Sequence, residues 1–438
     1  MRKSDIIIIG SGPAGMEVAV RAVASGRDTV IIERDLLGGT CLNRGCIPTK
    51  ALCRSAEVVR TVREASRYGV DVEGCTPSLL RALERKDAIV AELRGNVEMM
   101  LSKAEIVRGE ARFVAGDTVV VDDMEYQAPM IVIATGSRAS VLPIEGTEHA
   151  LTSDGLLSLK SVPESICVIG GGVIGVEFAC ILAEFGVKVT VVEYCREILP
   201  GFDRDIAKRL HNLLSRRGID IITSAAVTGI SVDGCKCVEY TAKGRAAVIK
   251  AEEVLMAAGR SPVIPDGAAE IGIEVMRGIT VNDGFATSVP GVYAVGDVNG
   301  RLMLAHAASA QAACLMGGDM NLSVIPAAVF SSPECAMVGV TEEECKEQNI
   351  AFKTAKAMFR SNGKAMAMGE ADGLLKIIID PASRLILGCH ICGPHASDLV
   401  QEIAVAMSGG LTIDTVADTV HAHPTLGEVV WDAAHSLR

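Results

Sequence analysis

Two glycine-rich turns, Gly10-Ser11-Gly12-Pro13-Ala14-Gly15 and Gly170-Gly171-Gly172-Val173-Ile174-Gly175, stand in the same local pattern within one chain. Each follows a short β-branched run, Ile6 to Ile9 and Ile166 to Ile169, and opens a stretch of helical apolar spacing. A second apolar run then ends on an acid: Val30-Ile31-Ile32 on Glu33, and Lys188 to Val192 on Glu193. First glycine and acid are equally far apart in both units. The pattern predicts two β-α-β units, in which the glycines give a tight turn, bare N–H groups for a pyrophosphate and close helix–strand contact. The acid accepts hydrogen bonds from a ribose. One such motif is weak evidence, but two in full context predict two dinucleotide folds. A carboxylate at Glu193 repels a 2′-phosphate, so NAD is expected rather than NADP, with Arg196 read as a solvated surface residue.

At 438 residues the chain exceeds the usual size of a single core. Its 44 glycines, 49% hydrophobic and 22% charged residues suit an α/β protein rich in strand-to-helix turns. A net charge of -12 without a basic patch argues against nucleic acid and anionic membranes as partners. The Ile6 to Ile9 run stops too soon for a secretory signal, and no stretch approaches the roughly 18–20 apolar residues of a membrane span. Fourteen cysteines without such a signal point to a reducing, cytoplasmic setting, where most are buried hydrophobes and a disulfide is transient and catalytic.

Met130 to Ala134 leads into Thr135-Gly136-Ser137, and Val254 to Ala258 into Gly259-Arg260-Ser261-Pro262; both read as the close of a nucleotide-binding half. From about Pro326 the glycine fingerprints stop, and strand patterns such as Leu374 to Ile379 alternate with helices such as Asp398 to Ser408. The expected architecture is α/β: two Rossmann-like domains, residues 1–145 resumed by 266–325 and residues 146–265, followed by an α+β domain over 326–438.

Gly38-Gly39-Thr40-Cys41-Leu42-Asn43-Arg44-Gly45-Cys46-Ile47-Pro48-Thr49-Lys50 carries the chemistry. Five residues of regular helix rise about 7.5 Å, near or beyond the reach of a disulfide, so a Cys41–Cys46 bridge requires distorted backbone and is correspondingly labile. A thiolate near a helix N-terminus is further stabilised by the dipole. Two buried thiols or half a metal site are the alternatives, but no second ligand pair at zinc spacing follows, and no metal is expected. Cys389 and Cys392 lie in a strand pattern, where positions three apart face opposite ways. Cys235 and Cys237 are read as incidental.

The redox stretch, the Gly10 to Gly15 turn, Thr287 to Asp297 and His421-Ala422-His423-Pro424-Thr425-Leu426-Gly427-Glu428 together resemble the pyridine nucleotide-disulfide oxidoreductases from end to end, closest to their dihydrolipoamide dehydrogenase branch. The resemblance implies FAD in the first fold, with Glu33 on the adenosine ribose and Asp297 on the ribityl chain. Further FAD contacts are implied for Gly10, Gly12, Pro13, Ala14, Gly15, Arg34, Gly39, Thr40, Lys50, Ala111, Ala134, Thr135 and Gly136, and for Met303, Leu304, Ala305 and His306. It places NAD on Gly170, Gly172, Val173, Ile174, Gly175, Glu193, Val227 and Gly259. Lys50 would pair with Glu177 beside the flavin. The C-terminal domain would form a homodimer and deliver His423, oriented by Glu428, to the Cys41–Cys46 disulfide of the other subunit, with a lipoyl-carrying protein as the partner oxidised. His421 has no evident partner and is read as a bystander. Arg44 stands where the family commonly has an apolar residue, and Thr49 where serine is frequent. Glutathione-type reductases fit Glu193 less well, mercuric reductases usually carry a terminal cysteine pair absent from His435-Ser436-Leu437-Arg438, and a diaphorase would not need Cys41.

Overall fold

The computed structural model describes residues 1–438. Its first nucleotide-binding unit is a five-stranded parallel sheet in the spatial order Val292–Ala294, Ile131–Ile133, Ile6–Ile9, Thr29–Glu33, Glu105–Arg108. All four isoleucines of Ile6–Ile9 are buried, as a parallel strand covered on both faces requires. Pro13 opens the following helix, Pro13–Ala24, at a position where its missing N–H costs nothing. The strand Val292–Ala294 comes from far along the chain, so the polypeptide leaves this unit and returns to it.

The second unit repeats the plan with parallel strands in the order Asp220–Ile222, Lys188–Val192, Ser165–Ile169, Glu253–Met256. The helix Val173–Glu184 follows its glycine turn and is buried over most of its length. An antiparallel meander, Ala225–Asp233, Cys235–Ala242 and Arg245–Ala251, closes the unit. Between the units, Ser137–Ala139 pairs antiparallel with Arg260–Pro262. The two glycine-marked endings seen in the sequence are thus the two strands of one ribbon.

The C-terminal region is a five-stranded antiparallel sheet in the order Ala327–Val329, Glu334–Gly339, Ile386–Gly393, Leu374–Ile379, Lys353–Met358. Helices Ala396–Ser408 and Glu428–His435 pack into its core. Cys389 belongs to that core, whereas Cys392 lies opposite Cys335 in the core shared with the second unit, so the two do face opposite ways. Every residue of Leu374–Ile379 is buried, including Lys376. Its ammonium is held by Asp203 at 2.9 Å, Asp205 at 2.9 Å and Glu342 at 2.5 Å, which ties this region to the second unit by an ion cluster whose parts depend on one another. No helix is long and apolar enough to cross a membrane.

Candidate active site

Gly38 and Gly39, with φ of 95° and 60°, start a short helix, Gly39–Arg44. Gly45, at φ −135° and ψ −108°, interrupts it, and a long helix, Cys46–Arg63, begins at the next residue. A Cβ on Gly45 would stand 3.0 Å from the Thr40 carbonyl oxygen, a contact that crowds any larger residue where the chain doubles back. Asn43 pins the turn by donating to the carbonyls of Leu37 and Gly39, each at 2.9 Å, while Arg94 donates to its amide oxygen. Cys41 and Cys46 therefore belong to different helical segments, and their thiols are half-buried and unbridged. The interaction with Cys41, helped by the Lys50 ammonium, brings Cys46 down to about 7; the same interaction and burial push Cys41 up. Cys46 is the first residue of the long helix, where the dipole also favours a thiolate.

One turn further on, Lys50 Nζ lies 2.9 and 3.0 Å from the carboxylate oxygens of Glu177. Glu177 is buried on the helix Val173–Glu184 and also accepts from the Phe330 backbone N–H at 2.9 Å, and Lys50 sits over the Phe330 ring. Nothing in the sequence around Phe330 signals this role, since its partners lie far away in the chain.

Both glycine turns open into one continuous cleft of about 1670 Å³, larger than the roughly 300–1,000 Å³ typical of a single small-molecule site. Its lining includes Cys41, Cys46, Lys50 and Glu177. Of the residues expected to hold cofactors it includes all except Gly15 and Gly175. At these two a Cβ would lie 2.0 Å from the Gly10 carbonyl oxygen at Gly15 and 1.9 Å from that of Gly170 at Gly175, so close packing of helix against turn alone requires glycine there. Gly12 and Gly172 are the opposite case. A Cβ on Gly172 would meet nothing within 4 Å, and one on Gly12 only Gly39 at 4.0 Å, which leaves a bare backbone cradle at each helix start. Glu33 accepts from the Ser11 N–H at 2.8 Å and Glu193 from the Gly171 N–H at 2.6 Å, and each carboxylate keeps lone pairs free for a ribose. The residues present fit two dinucleotides.

Asp297 accepts from Ser137 Oγ at 2.5 Å, and Arg260 donates to the same hydroxyl at 2.7 Å, a link across the ribbon that sequence reasoning missed. His306 hydrogen-bonds the Pro326 carbonyl at 2.7 Å. Arg44 pairs with Asp35 and stands 3.9 Å from Asp154, acids that sequence reasoning did not link to it.

His423 and Glu428 do not line the cleft of their own chain. The His423 ring is 79% exposed, with Nδ1 2.8 Å from Glu428 Oε1. Hydrogen bonds from His423 and the Thr425 N–H hold the Glu428 carboxyl below its usual range. His421, expected to lack a partner, has one: its Nε2 lies 2.9 Å from Glu402, which the helix Ala396–Ser408 supplies and which is hence invisible in the local motif.

The profile described as pyridine nucleotide-disulphide oxidoreductase matches residues 4–312, and the dimerisation domain of the same family matches residues 325–434. The chain belongs to the pyridine nucleotide-disulphide oxidoreductases. Members of its branch use FAD and NAD. The oxidoreductase is 39% identical to a dihydrolipoyl dehydrogenase of Geobacillus stearothermophilus, over 99% of this chain and 96% of the relative. It is 38% identical to one from Bacillus subtilis, over 98% and 97%, and 37% identical to the mitochondrial enzyme of Pisum sativum, over 99% and 91%. Among solved structures it is similar to the HOCl-induced flavoprotein disulfide reductase RclA from Escherichia coli as its Cu(II) complex, with a TM-score of 0.89 at 29% identity and full coverage of both chains.

Proposed function

We propose that this oxidoreductase is a dihydrolipoamide dehydrogenase, which reoxidises protein-bound dihydrolipoyl groups through a Cys41–Cys46 disulfide and reduces NAD. The observation that carries the reading is the pairing of Cys41 and Cys46 across the Gly45 break, in a cleft that also holds two dinucleotide cradles. Full-length similarity to enzymes of that name supports it. Residues 1–145 and 266–325 would hold the flavin, 146–265 the NAD, and 326–438 the second copy of the chain.

When bound, FAD supplies the passage of an electron pair from dithiol to NAD. In the oxidised enzyme Cys41 and Cys46 are bridged. His423 of one subunit, held by Glu428, takes a proton from a dihydrolipoyl thiol at the other subunit's disulfide. The resulting thiolate attacks Cys41, and Cys46 leaves as the thiolate that Lys50 and the helix N-terminus stabilise. The second substrate thiol then attacks the mixed disulfide, releasing Cys41 and a closed lipoyl ring. Glu177 fixes Lys50 beside the redox helix. The lipoyl carrier is a separate protein and the setting cytoplasmic. In the FAD-loaded enzyme, His423→Ala is expected to lower dihydrolipoamide oxidation by roughly 10²–10⁴-fold; full activity in that variant overturns the base assignment.

The likeness to RclA favours a second reading, an NADH-dependent disulfide reductase running in the opposite direction. Comparing kcat/KM for dihydrolipoamide with NAD against NADH with small disulfides separates the two.

A further inference from the structure

The loop between the helices Ile413–Asp418 and Glu428–His435 carries two histidines, and the one the proposed chemistry leaves unused is the buried one. The His421 side chain is 9% exposed against 79% for His423. Both ring nitrogens of His421 face acceptors: Nδ1 lies 3.0 Å from the Thr419 carbonyl oxygen and Nε2 2.9 Å from Glu402 Oε1. Two hydrogen-bond partners, one at each nitrogen, fix the plane and rotation of this imidazole. The rest of the ring is enclosed. Its centroid is 6.5 Å from that of Trp431, which carries His435 at 4.0 Å, and its Cδ2 edge would stand 3.6 Å from a Cβ on Gly427. Gly427 caps the terminal helix whose first residue, Glu428, orients His423.

We infer that Glu402 and His421 form a hydrogen-bonded clamp that positions the His423–Glu428 couple, tying its loop to the helix Ala396–Ser408. Both are positioning residues, and the inference rests on the reading of His423 as the base. The titratable groups facing His421 are Glu402 from that helix, Glu428 from the terminal helix, His435 through Trp431, and His423 on its own loop.

The test uses FAD-loaded, full-length His421→Gln and Glu402→Gln, with kcat and KM measured separately for dihydrolipoamide and NAD. NADH oxidation by ferricyanide, which needs neither Cys41 nor His423, is measured alongside. Each variant is expected to lose roughly tenfold in dithiol oxidation, since small misplacements of a catalytic group cost that much or more. The loss should fall on kcat for the dithiol, with KM for NAD, the ferricyanide rate and the melting temperature unchanged. Wild-type rates in both variants overturn the clamp. So does a loss that merely tracks melting temperature and ferricyanide rate. His423→Ala is measured in parallel: if it is inactive while the two variants match wild type, only the clamp falls, and if it stays fully active, the base assignment itself falls.

Discussion

Lys50 and Glu177, 127 residues apart in the chain, meet as an ion pair with Nζ 2.9 and 3.0 Å from the two carboxylate oxygens. Glu177 also accepts the Phe330 N–H, so one buried carboxylate joins the redox helix, the second nucleotide unit and the C-terminal sheet. Glu177→Ala strands both donors and is expected to destabilise the fold by on the order of 3 kcal/mol. Urea unfolding of cofactor-free protein checks this, and an unchanged midpoint contradicts it.

The same pair sets the thiol chemistry. Cys46 is brought to about 7, with the interaction with Cys41 first among the causes, Lys50 favouring the thiolate and Glu177 opposing it. In the dithiol enzyme the thiolate forms as pH rises through that value. Lys50→Met removes a favourable charge and moves the titration to higher pH, whereas Glu177→Gln removes an unfavourable one and moves it lower. Thiolate absorbance in the ultraviolet against pH reads both shifts, and movement in the same direction refutes the assignment.

Glycines separate ligand contact from packing. Gly12→Ala and Gly172→Ala meet open space and are expected to leave cofactor-free stability within about 0.5 kcal/mol of the parent, while weakening retention of FAD and NAD respectively. Gly15→Ala and Gly175→Ala drive a methyl group into a carbonyl and should cost about 1–3 kcal/mol. Thermal melts of apoprotein with cofactor titration distinguish the two classes, and equal melts across all four contradict the division.

Cysteine reactivity follows burial. Burial pushes Cys180 up to about 11 and Cys167 up to about 12, and also raises Cys335 and Cys389. Iodoacetamide at neutral pH is therefore expected to label Cys41 or Cys46 in the dithiol enzyme before any of these four. Peptide mapping by mass spectrometry gives the order, and early labelling of Cys335 would falsify it.

Much of this site could be read from local sequence, because local sequence determines it. The strand Lys188–Val192 has the expected bounds, and the interruption required between Cys41 and Cys46 falls at Gly45. The fingerprint mixes glycines needed for packing, such as Gly15 and Gly175, with glycines facing open space, such as Gly12 and Gly172, and only the distances in the fold tell them apart. The meander of residues 225–251 was not anticipated: its last strand, Arg245–Ala251, is mostly exposed and carries no clean apolar alternation. Phe330, Glu402 and the Arg260–Ser137–Asp297 link depend on contacts between distant segments, about which neighbouring residues carry no information.

In the proposed enzyme an external dithiol opens a sulfur bridge joining Cys41 to Cys46, and its electrons reach NAD. Anaerobic titration of the FAD-loaded enzyme with dihydrolipoamide tests this most directly. Expected is a long-wavelength absorbance from the Cys46 thiolate against oxidised flavin that appears on adding the dithiol and is discharged to NADH when NAD follows, with this dithiol-dependent change lost in Cys41→Ser. A flavin spectrum indifferent to the dithiol, or the same response without Cys41, contradicts it.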